Sequence, residues 1–228
     1  MLPYGRQSIS DGDVEAVIAV LRGDWLTTGP AVTAFERAIS SIAGGHRVVS
    51  CTSGTAALHI AYSALRLGPG DQVVTTPMTF VATASGASLL GADIVFADVE
   101  EDTGLIDPAA VEAAVTGRTR VVAAVDYAGH PADYDALQHI ADSVGALTLD
   151  DAAHSIGGTY RGRPVGSLAD LTTLSFFPTK NLTTGEGGAV VCRDPEIARR
   201  AEEFHFIGLV RDERSRGRGT PQHRPRRW

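Results

Sequence analysis

Lysine is nearly absent from this sequence of 228 residues, which has one lysine, Lys180, beside 19 arginines. Such a bias would be expected to spare lysine mainly where arginine cannot replace it. Arginine cannot act as a primary-amine nucleophile, because its guanidinium group stays protonated. The scarcity of lysine therefore makes Lys180 a candidate catalytic residue before any motif is considered.

Cysteines and long apolar runs are also scarce. Cys51 and Cys192 lie far apart and have no second Cys or His at metal-ligand spacing, which indicates neither a disulfide framework nor a metal site. No apolar run approaches the roughly 20 residues that a bilayer-spanning helix needs, and residues 1–10 lack a hydrophobic targeting core. These absences predict a soluble cytoplasmic protein.

Charge is distributed unevenly along the chain. Residues 1–210 carry 13 basic and 25 acidic side chains, whereas residues 211–228 carry seven arginines and two acids. An acidic body, with Trp228 as the one aromatic residue of the basic tail, does not favour a nucleic-acid-binding protein. The tail also lacks apolar periodicity, so we expect one domain over residues 1–210 and an atypical arginine-rich tail over residues 211–228.

Apolar strands alternate with amphipathic helices over most of the chain. A capping box at Ser10 and Asp13 predicts a first helix that ends by Gly23. The alternation predicts an α/β domain with a mostly parallel, seven-stranded sheet flanked by helices. The predicted strands are 47–51, 72–76, 93–98, 120–126, 146–150, 171–176 and 188–192, and the further helices are 32–42, 55–67, 80–90, 107–115 and 134–144.

Ligands bind beyond the carboxyl ends of the strands in such sheets, so the residues that follow each strand are the first site candidates. After the first strand, Ser53, Gly54 and Thr55 lead into a helix whose free N–H groups and dipole favour a phosphate. A tight turn with a capping serine explains this segment equally well.

After the fifth strand, Asp151 can pair with a cationic ring nitrogen. A helix cap is the alternative there.

The segment after the sixth predicted strand contains Lys180, which precedes a glycine-rich turn at residues 185–188. A surface lysine in a loop is the alternative. A phosphate cradle, an acid for a ring nitrogen and one lysine together meet the requirements of pyridoxal phosphate, namely anchoring, electronic tuning and a Schiff base. The sequence therefore predicts pyridoxal 5′-phosphate (PLP) as cofactor.

The same residues resemble the DegT/DnrJ/EryC1/StrS sugar aminotransferases, which have the aspartate-aminotransferase-like fold (PLP fold type I). The matching motifs are Ser-Phe-x-Pro-x-Lys-Asn-x-x-x-Gly-Glu-Gly-Gly at 175–188, Asp-Ala-Ala-His at 151–154 and Ser-Gly-Thr-Ala-Ala-Leu-His at 53–59. Residues 3–9 and 25–30 further resemble the branch that makes UDP-4-amino-4,6-dideoxy-N-acetyl-β-L-altrosamine for pseudaminic acid. Phe177 departs from that branch, which commonly has histidine there.

The resemblance implies a role for each matching residue. Lys180 would hold the cofactor covalently, and Asp151 would pair with its pyridine nitrogen. His154 would lie by the ring oxygen, and Phe80 would stack on the ring. The implied phosphate contacts are Ser175, Gly54 and Thr55, and the implied substrate contacts are Tyr4, Trp25, Leu26, Thr27 and Thr28.

The resemblance also implies a reaction, the transfer of an amino group from an amino acid, expected to be L-glutamate, to a nucleotide-linked 4-keto-6-deoxy sugar. The expected partners are these two substrates and a second copy in a homodimer, with no nucleic acid and no membrane. Members of the family continue into a small C-terminal domain, where this sequence has its tail at residues 211–228. The alternative expectation is an incomplete chain that binds PLP or a partner without turnover.

Overall fold

A computed structural model describes residues 6–208 of the chain. The predictions for Tyr4 and for the tail at residues 211–228 lie outside these described residues. Within them, no helix has both the length and the apolar character needed to cross a membrane.

Strands and helices alternate along the described chain, as predicted. The strands are β1 (Arg47–Cys51), β2 (Gln72–Thr75), β3 (Asp93–Phe96), β4 (Thr119–Val125), β5 (Leu147–Asp151), β6 (Thr159–Tyr160), β7 (Arg163–Pro164), β8 (Leu171–Ser175) and β9 (Gly188–Cys192). The α-helices are α1 (Asp11–Arg22), α2 (Pro30–Ile42), α3 (Gly54–Ala64), α4 (Ala82–Ser88), α5 (Pro108–Ala114), α6 (Tyr134–Val144) and α7 (Pro195–His205). One 3₁₀ turn spans Tyr127–Gly129.

Seven of these strands form one sheet in the order β1-β9-β8-β5-β4-β2-β3. The pairs β2–β3, β2–β4, β4–β5 and β5–β8 are parallel, whereas β9 is antiparallel to both of its neighbours. A parallel connection needs a crossover, usually a helix, and the loop at 176–187 between β8 and β9 has none. The prediction of a mostly parallel, seven-stranded sheet is confirmed.

Helices cover both faces of the sheet. Successive strand residues point to opposite faces, so Val73 packs with α3, α4 and α7, whereas Val74 packs with α2, α5 and α6. Both valines are fully buried. Because helices cover both faces of the sheet, a ligand can reach the described sheet only from the loops at the strand ends.

Besides the 3₁₀ turn, one helix and one hairpin were not predicted from the sequence. The first is α7, although Asp194 accepts hydrogen bonds from two backbone N–H groups at its start and Pro195 occupies its first turn, both ordinary start signals. The second is the β6–β7 hairpin. Its two-residue turn, Arg161 and Gly162, has positive φ angles of 49° and 79°, which suit the mirror-image turns of tight hairpins.

The capping box predicted for α1 is present, because Ser10 and Asp13 bond each other's backbone N–H groups. No residue of α1 is buried within the described chain. The two cysteines are free and lie at opposite ends of the β1–β9 pair, where Cys51 pairs with Gly188 and Cys192 pairs with Arg47.

Candidate active site

The carboxyl edge of the sheet carries four of the predicted cofactor residues. β5 ends at Asp151, which lies opposite Thr173 in the parallel ladder to β8, and β8 ends two residues later at Ser175. His154 follows β5, and the loop after β8 carries Lys180. The parallel pairing therefore places the ends of both strands, and the loops that follow them, on one side of the molecule.

The Nζ atom of Lys180 lies 2.7 Å from the Nε2 atom of His154. Two protonated groups cannot hydrogen-bond each other, so one of the two nitrogens must accept. Burial and then the charge of Lys180 lower the pKa of His154, which favours a neutral imidazole. Burial also lowers the pKa of Lys180, and Asp151 opposes both shifts. We therefore assign Lys180 as the donor, Nε2 of His154 as the acceptor and the imidazole proton to Nδ1.

The carboxyl group of Asp151 is buried and held by a hydroxyl group. The Oγ1 of Thr83 donates to its Oδ2 at 2.6 Å. Burial raises the pKa of Asp151, whereas the Thr83 bond, the N–H of Ala153 and the charges of Lys180 and His154 lower it. A protonated ring nitrogen placed against this carboxylate would also lower the pKa of Asp151.

Two more buried acids, Asp126 and Asp150, interact with Asp151. Asp126 accepts from Ser155 Oγ at 2.6 Å, from Tyr134 OH at 2.8 Å and from the N–H of Ala132 at 3.2 Å. Burial raises the pKa of Asp126 to about 6, against these hydrogen bonds. Burial, followed by the charge of Asp126, raises the pKa of Asp150 well above its ordinary value. Ser155 follows His154 in the turn after β5, and Tyr134 begins α6. By accepting from both, Asp126 links this turn to the start of α6.

The start of α3 and the end of β8 lie in close contact, in an arrangement that can accept an anion. Ser53 caps α3 by accepting from the N–H of Ala56 at 3.1 Å. A Cβ atom added to Gly54 would lie 2.8 Å from the Cβ of Ser175, and one added to Gly188 would collide with the carbonyl of Ser53. The free N–H groups of the helix start and the Ser175 hydroxyl therefore lie side by side, which fits the phosphate of PLP.

Other predicted site residues stand apart from these contacts. Phe80 lies in the loop between β2 and α4 and is 72% exposed, and Trp25 and Leu26 are 62% and 66% exposed. In the described chain, no hydrogen bond joins residues 25–28 to Lys180. Ring stacking by Phe80 and substrate contacts by residues 25–28 remain predictions, as does the phosphate contact of Thr55 at the start of α3.

Sequence reasoning missed two residues that the structure connects to the site. Thr83 carries no motif, and its role follows only from its contact with Asp151, 68 residues away. Asp126 did offer a signal, because it follows β4 directly, as a polar residue at a strand end. A rule that considers every strand end would have found Asp126 and would still have missed Thr83.

A surface cleft of about 260 Å³ lies between α3 and α7 and does not contain the chemistry described above. Its lining includes His59 and His205 but not Lys180, His154 or Asp151. We place the site where the titratable groups converge, since volume alone carries no chemistry. Nor do the described residues contain a cluster of three or more potential metal ligands.

The fold and the site define the class of this protein. A mostly parallel sheet whose carboxyl edge carries a lysine, a buried acid and a helix start for a phosphate is the arrangement of a PLP-binding domain of fold type I. The chain belongs to the DegT/DnrJ/EryC1/StrS aminotransferase family, which matches residues 7–220.

Relatives and solved structures agree with this assignment. The chain is 41% identical over 208 residues to the spore coat polysaccharide biosynthesis protein SpsC of Bacillus subtilis (strain 168), covering 91% of this chain and 54% of SpsC. It is similar to the Helicobacter pylori aminotransferase PseC, involved in the biosynthesis of pseudoaminic acid, at 31% identity and a TM-score of 0.88, covering 92% of this chain and 57% of PseC.

A third match concerns the cofactor. The PLP-form of Spr1654 from Streptococcus pneumoniae is 33% identical, with a TM-score of 0.84, covering 91% of this chain and 57% of Spr1654. The family and this match indicate PLP as the cofactor, as the sequence predicted. The chain spans just over half the length of each of these three relatives.

Proposed function

We propose that this protein is a PLP-dependent aminotransferase that moves an amino group from an amino acid, L-glutamate in our proposal, to a nucleotide-linked 4-keto-6-deoxy sugar. The observation that carries the proposal is the placement of Lys180 Nζ, 2.7 Å from His154 Nε2, at the sheet edge that also carries the buried Asp151. No other lysine exists in the chain to hold the cofactor.

Lys180 has two tasks in this proposal. Its amine holds the cofactor, and after displacement by the amino donor it can take up and release a proton beside the reacting carbon atoms. The pKa of Lys180 is lowered by burial, which favours the neutral amine that both tasks need. His154 Nε2 accepts a hydrogen bond from the amine and thereby orients it.

The remaining residues bind the cofactor and adjust the protonation of its ring. PLP supplies an electron-withdrawing ring that accepts the charge left on the substrate carbon. Asp151 presents a buried carboxylate to the ring nitrogen and favours its protonated form. Ser175 and the start of α3 at Gly54 bind the phosphate.

The substrate proposal is that the amino acceptor belongs to the synthesis of pseudaminic acid or a related surface sugar. Its support is the resemblance of residues 3–9 and 25–30 to that branch, together with the similarity to PseC and SpsC. A homodimer in the cytoplasm is part of the same proposal.

The cofactor test uses reduction. The purified chain is incubated with PLP, treated with borohydride and digested, and the labelled peptide is identified by mass spectrometry. We expect one labelled side chain, Lys180, with Lys180→Arg as the unlabelled control. Absence of label at position 180 in the unaltered chain would overturn the proposal.

Formation of 2-oxoglutarate from L-glutamate with a UDP-linked 4-keto-6-deoxy sugar then tests the reaction.

A second candidate function is cofactor or partner binding by this chain without turnover. The observation that favours it is that the matches to these three relatives cover only 54% to 57% of the relatives' lengths. A chain that is labelled at Lys180 but forms no 2-oxo acid when both the amino donor and the keto sugar are present would support this second candidate.

A further inference from the structure

The hydroxyl group of Thr83 bonds directly to the acid that the proposed function assigns to the ring nitrogen. Thr83 Oγ1 donates to Asp151 Oδ2 at 2.6 Å, and both side chains are buried. Thr83 lies in α4 and Asp151 ends β5, so the bond joins a helix to the sheet edge. A hydrogen bond to a buried carboxylate is charge-assisted and stronger than one between neutral groups.

A second hydroxyl group, that of Thr79, lies next to this bond. Thr79 Oγ1 lies 2.7 Å from Thr83 Oγ1. A threonine has one hydroxyl proton, and Thr83 donates its proton to Asp151, so Thr79 is the donor between the two threonines. The carbonyl of Phe80 is a second acceptor near Thr79 Oγ1, at the longer distance of 3.2 Å. The two hydroxyl groups therefore form a chain of donors that ends on the carboxylate.

The backbone of Thr83 is held from the opposite side. The OH of Tyr62 donates to the carbonyl of Thr83 at 2.8 Å, and Tyr62 is fully buried. A Cβ atom added to Gly86 would lie 3.3 Å from the Tyr62 ring, which shows how closely α4 packs on this ring. Thr83 is thus fixed through its backbone, its own hydroxyl group and a neighbouring hydroxyl group.

Several titratable groups interact electrostatically with Asp151. Lys180 and His154, when protonated, favour its ionised form, whereas burial and also the charge of Asp151 raise the pKa of Asp126 and of Asp150. We infer that Thr83 is a positioning residue, which keeps the Asp151 carboxylate ionised and in one orientation toward the ring nitrogen of the cofactor. This inference rests on the proposed function, since it assumes that Asp151 meets that nitrogen.

A purely structural role for Thr83 would give the same contacts, so the test needs a matched control. Thr172 supplies it, because it is fully buried and donates to the neighbouring Asp150 Oδ2, at 3.4 Å. Both Thr83→Val and Thr172→Val remove one buried hydroxyl group from an aspartate. Only Thr83→Val removes it from Asp151.

The experiment measures PLP affinity of the full 228-residue chain by equilibrium dialysis, from acidic to neutral pH. For Thr83→Val we expect roughly tenfold weaker binding, the effect of about 1.4 kcal/mol. We also expect the loss of affinity on acidification to begin at higher pH, because Asp151 then takes up a proton more readily. Thr172→Val should keep the wild-type profile, and Thr83→Ser should restore it.

The outcomes separate this inference from the proposed function. A Thr83→Val protein with the wild-type affinity and profile would overturn the role of Thr83, whereas an unaltered chain that takes up no PLP would contradict the proposed function itself. If Thr83→Val does not fold, Thr79→Val carries the test, with a smaller shift in the same direction expected. An unchanged profile in Thr79→Val would then overturn the inference.

Discussion

Lys180 and His154 are joined by a hydrogen bond of 2.7 Å between their terminal nitrogens, and the next residue repeats the connection. Asn181 Nδ2 donates to the carbonyl of Ile156 at 2.9 Å. The loop after β8 is therefore fastened twice to the turn after β5. This double contact holds the amine of Lys180 beside His154, whose pKa is lowered by burial and then by the charge of Lys180.

The first prediction concerns the titration of His154. Replacing Lys180 by Met removes a positive charge that lowers the pKa of His154, while the burial that lowers it further is largely kept. We expect His154 to titrate at higher pH in Lys180→Met than in the unaltered chain, as followed by NMR of the imidazole nuclei. His46 is the internal control, because its lowered pKa arises from burial and from Arg193. An unchanged His154 titration would show that the two side chains do not interact in solution.

The second prediction concerns the phosphate cradle. In Gly54→Ala the new methyl group would lie 2.8 Å from the Cβ of Ser175, so one side of the cradle must move. Overpacking of this kind costs about 1–3 kcal/mol, and we expect PLP affinity to fall by roughly tenfold or more. Gly68→Ala is the control, since a Cβ there meets nothing within 4 Å. Equal PLP affinity in the two variants, measured by dialysis, would rule out a close cradle.

The third prediction concerns stability and pH. Burial raises the pKa of Asp126 from 3.8 to about 6, so between these values the folded chain retains a proton that the unfolded chain has released. Stability contributed by this protonation is present at low pH and falls as pH rises through that window. Each unit of pKa shift corresponds to about 1.4 kcal/mol.

Asp126→Asn cannot ionise, so its free energy of unfolding should fall less than that of the unaltered chain as pH rises from about 4 to about 6. Asp150 and Asp151 also have raised pKa values, so part of the fall should remain. Urea denaturation at several pH values measures this difference. Asp142→Asn, at an exposed position, is the control. An identical pH dependence in Asp126→Asn would contradict the burial argument.

The fourth prediction compares two helix caps. Asp194 caps α7, whose Ile197 and Ala201 are buried in the core, so Asp194→Ala should lower the free energy of unfolding by about 1 kcal/mol. Ser10 caps α1, which buries no residue, so Ser10→Ala should loosen α1 without moving the global unfolding transition. Urea denaturation of both variants checks this. Equal losses would mean that α1 is as tightly coupled to the core as α7.

Local sequence patterns determined the elements of the fold and the identity of the reactive residue. The apolar runs that form most of β4 and β9 are buried on both faces, and their residue types alone predict this burial. Lys180 was identified because arginine cannot replace an amine nucleophile, a fact of chemistry that needs no structure. The family resemblance then placed Asp151 and His154 beside it.

Only the tertiary structure decided which groups touch. Thr83 and Asp151 are 68 residues apart, and their 2.6 Å hydrogen bond exists because α4 packs on α3 and places one hydroxyl group at the end of β5. The pairing of β9 with β1 and the burial that raises the pKa of Asp126 likewise depend on neighbours distant in sequence. Periodicity reports the face on which a residue lies, whereas the partner of a buried polar group is fixed by packing between elements that the chain brings together only on folding.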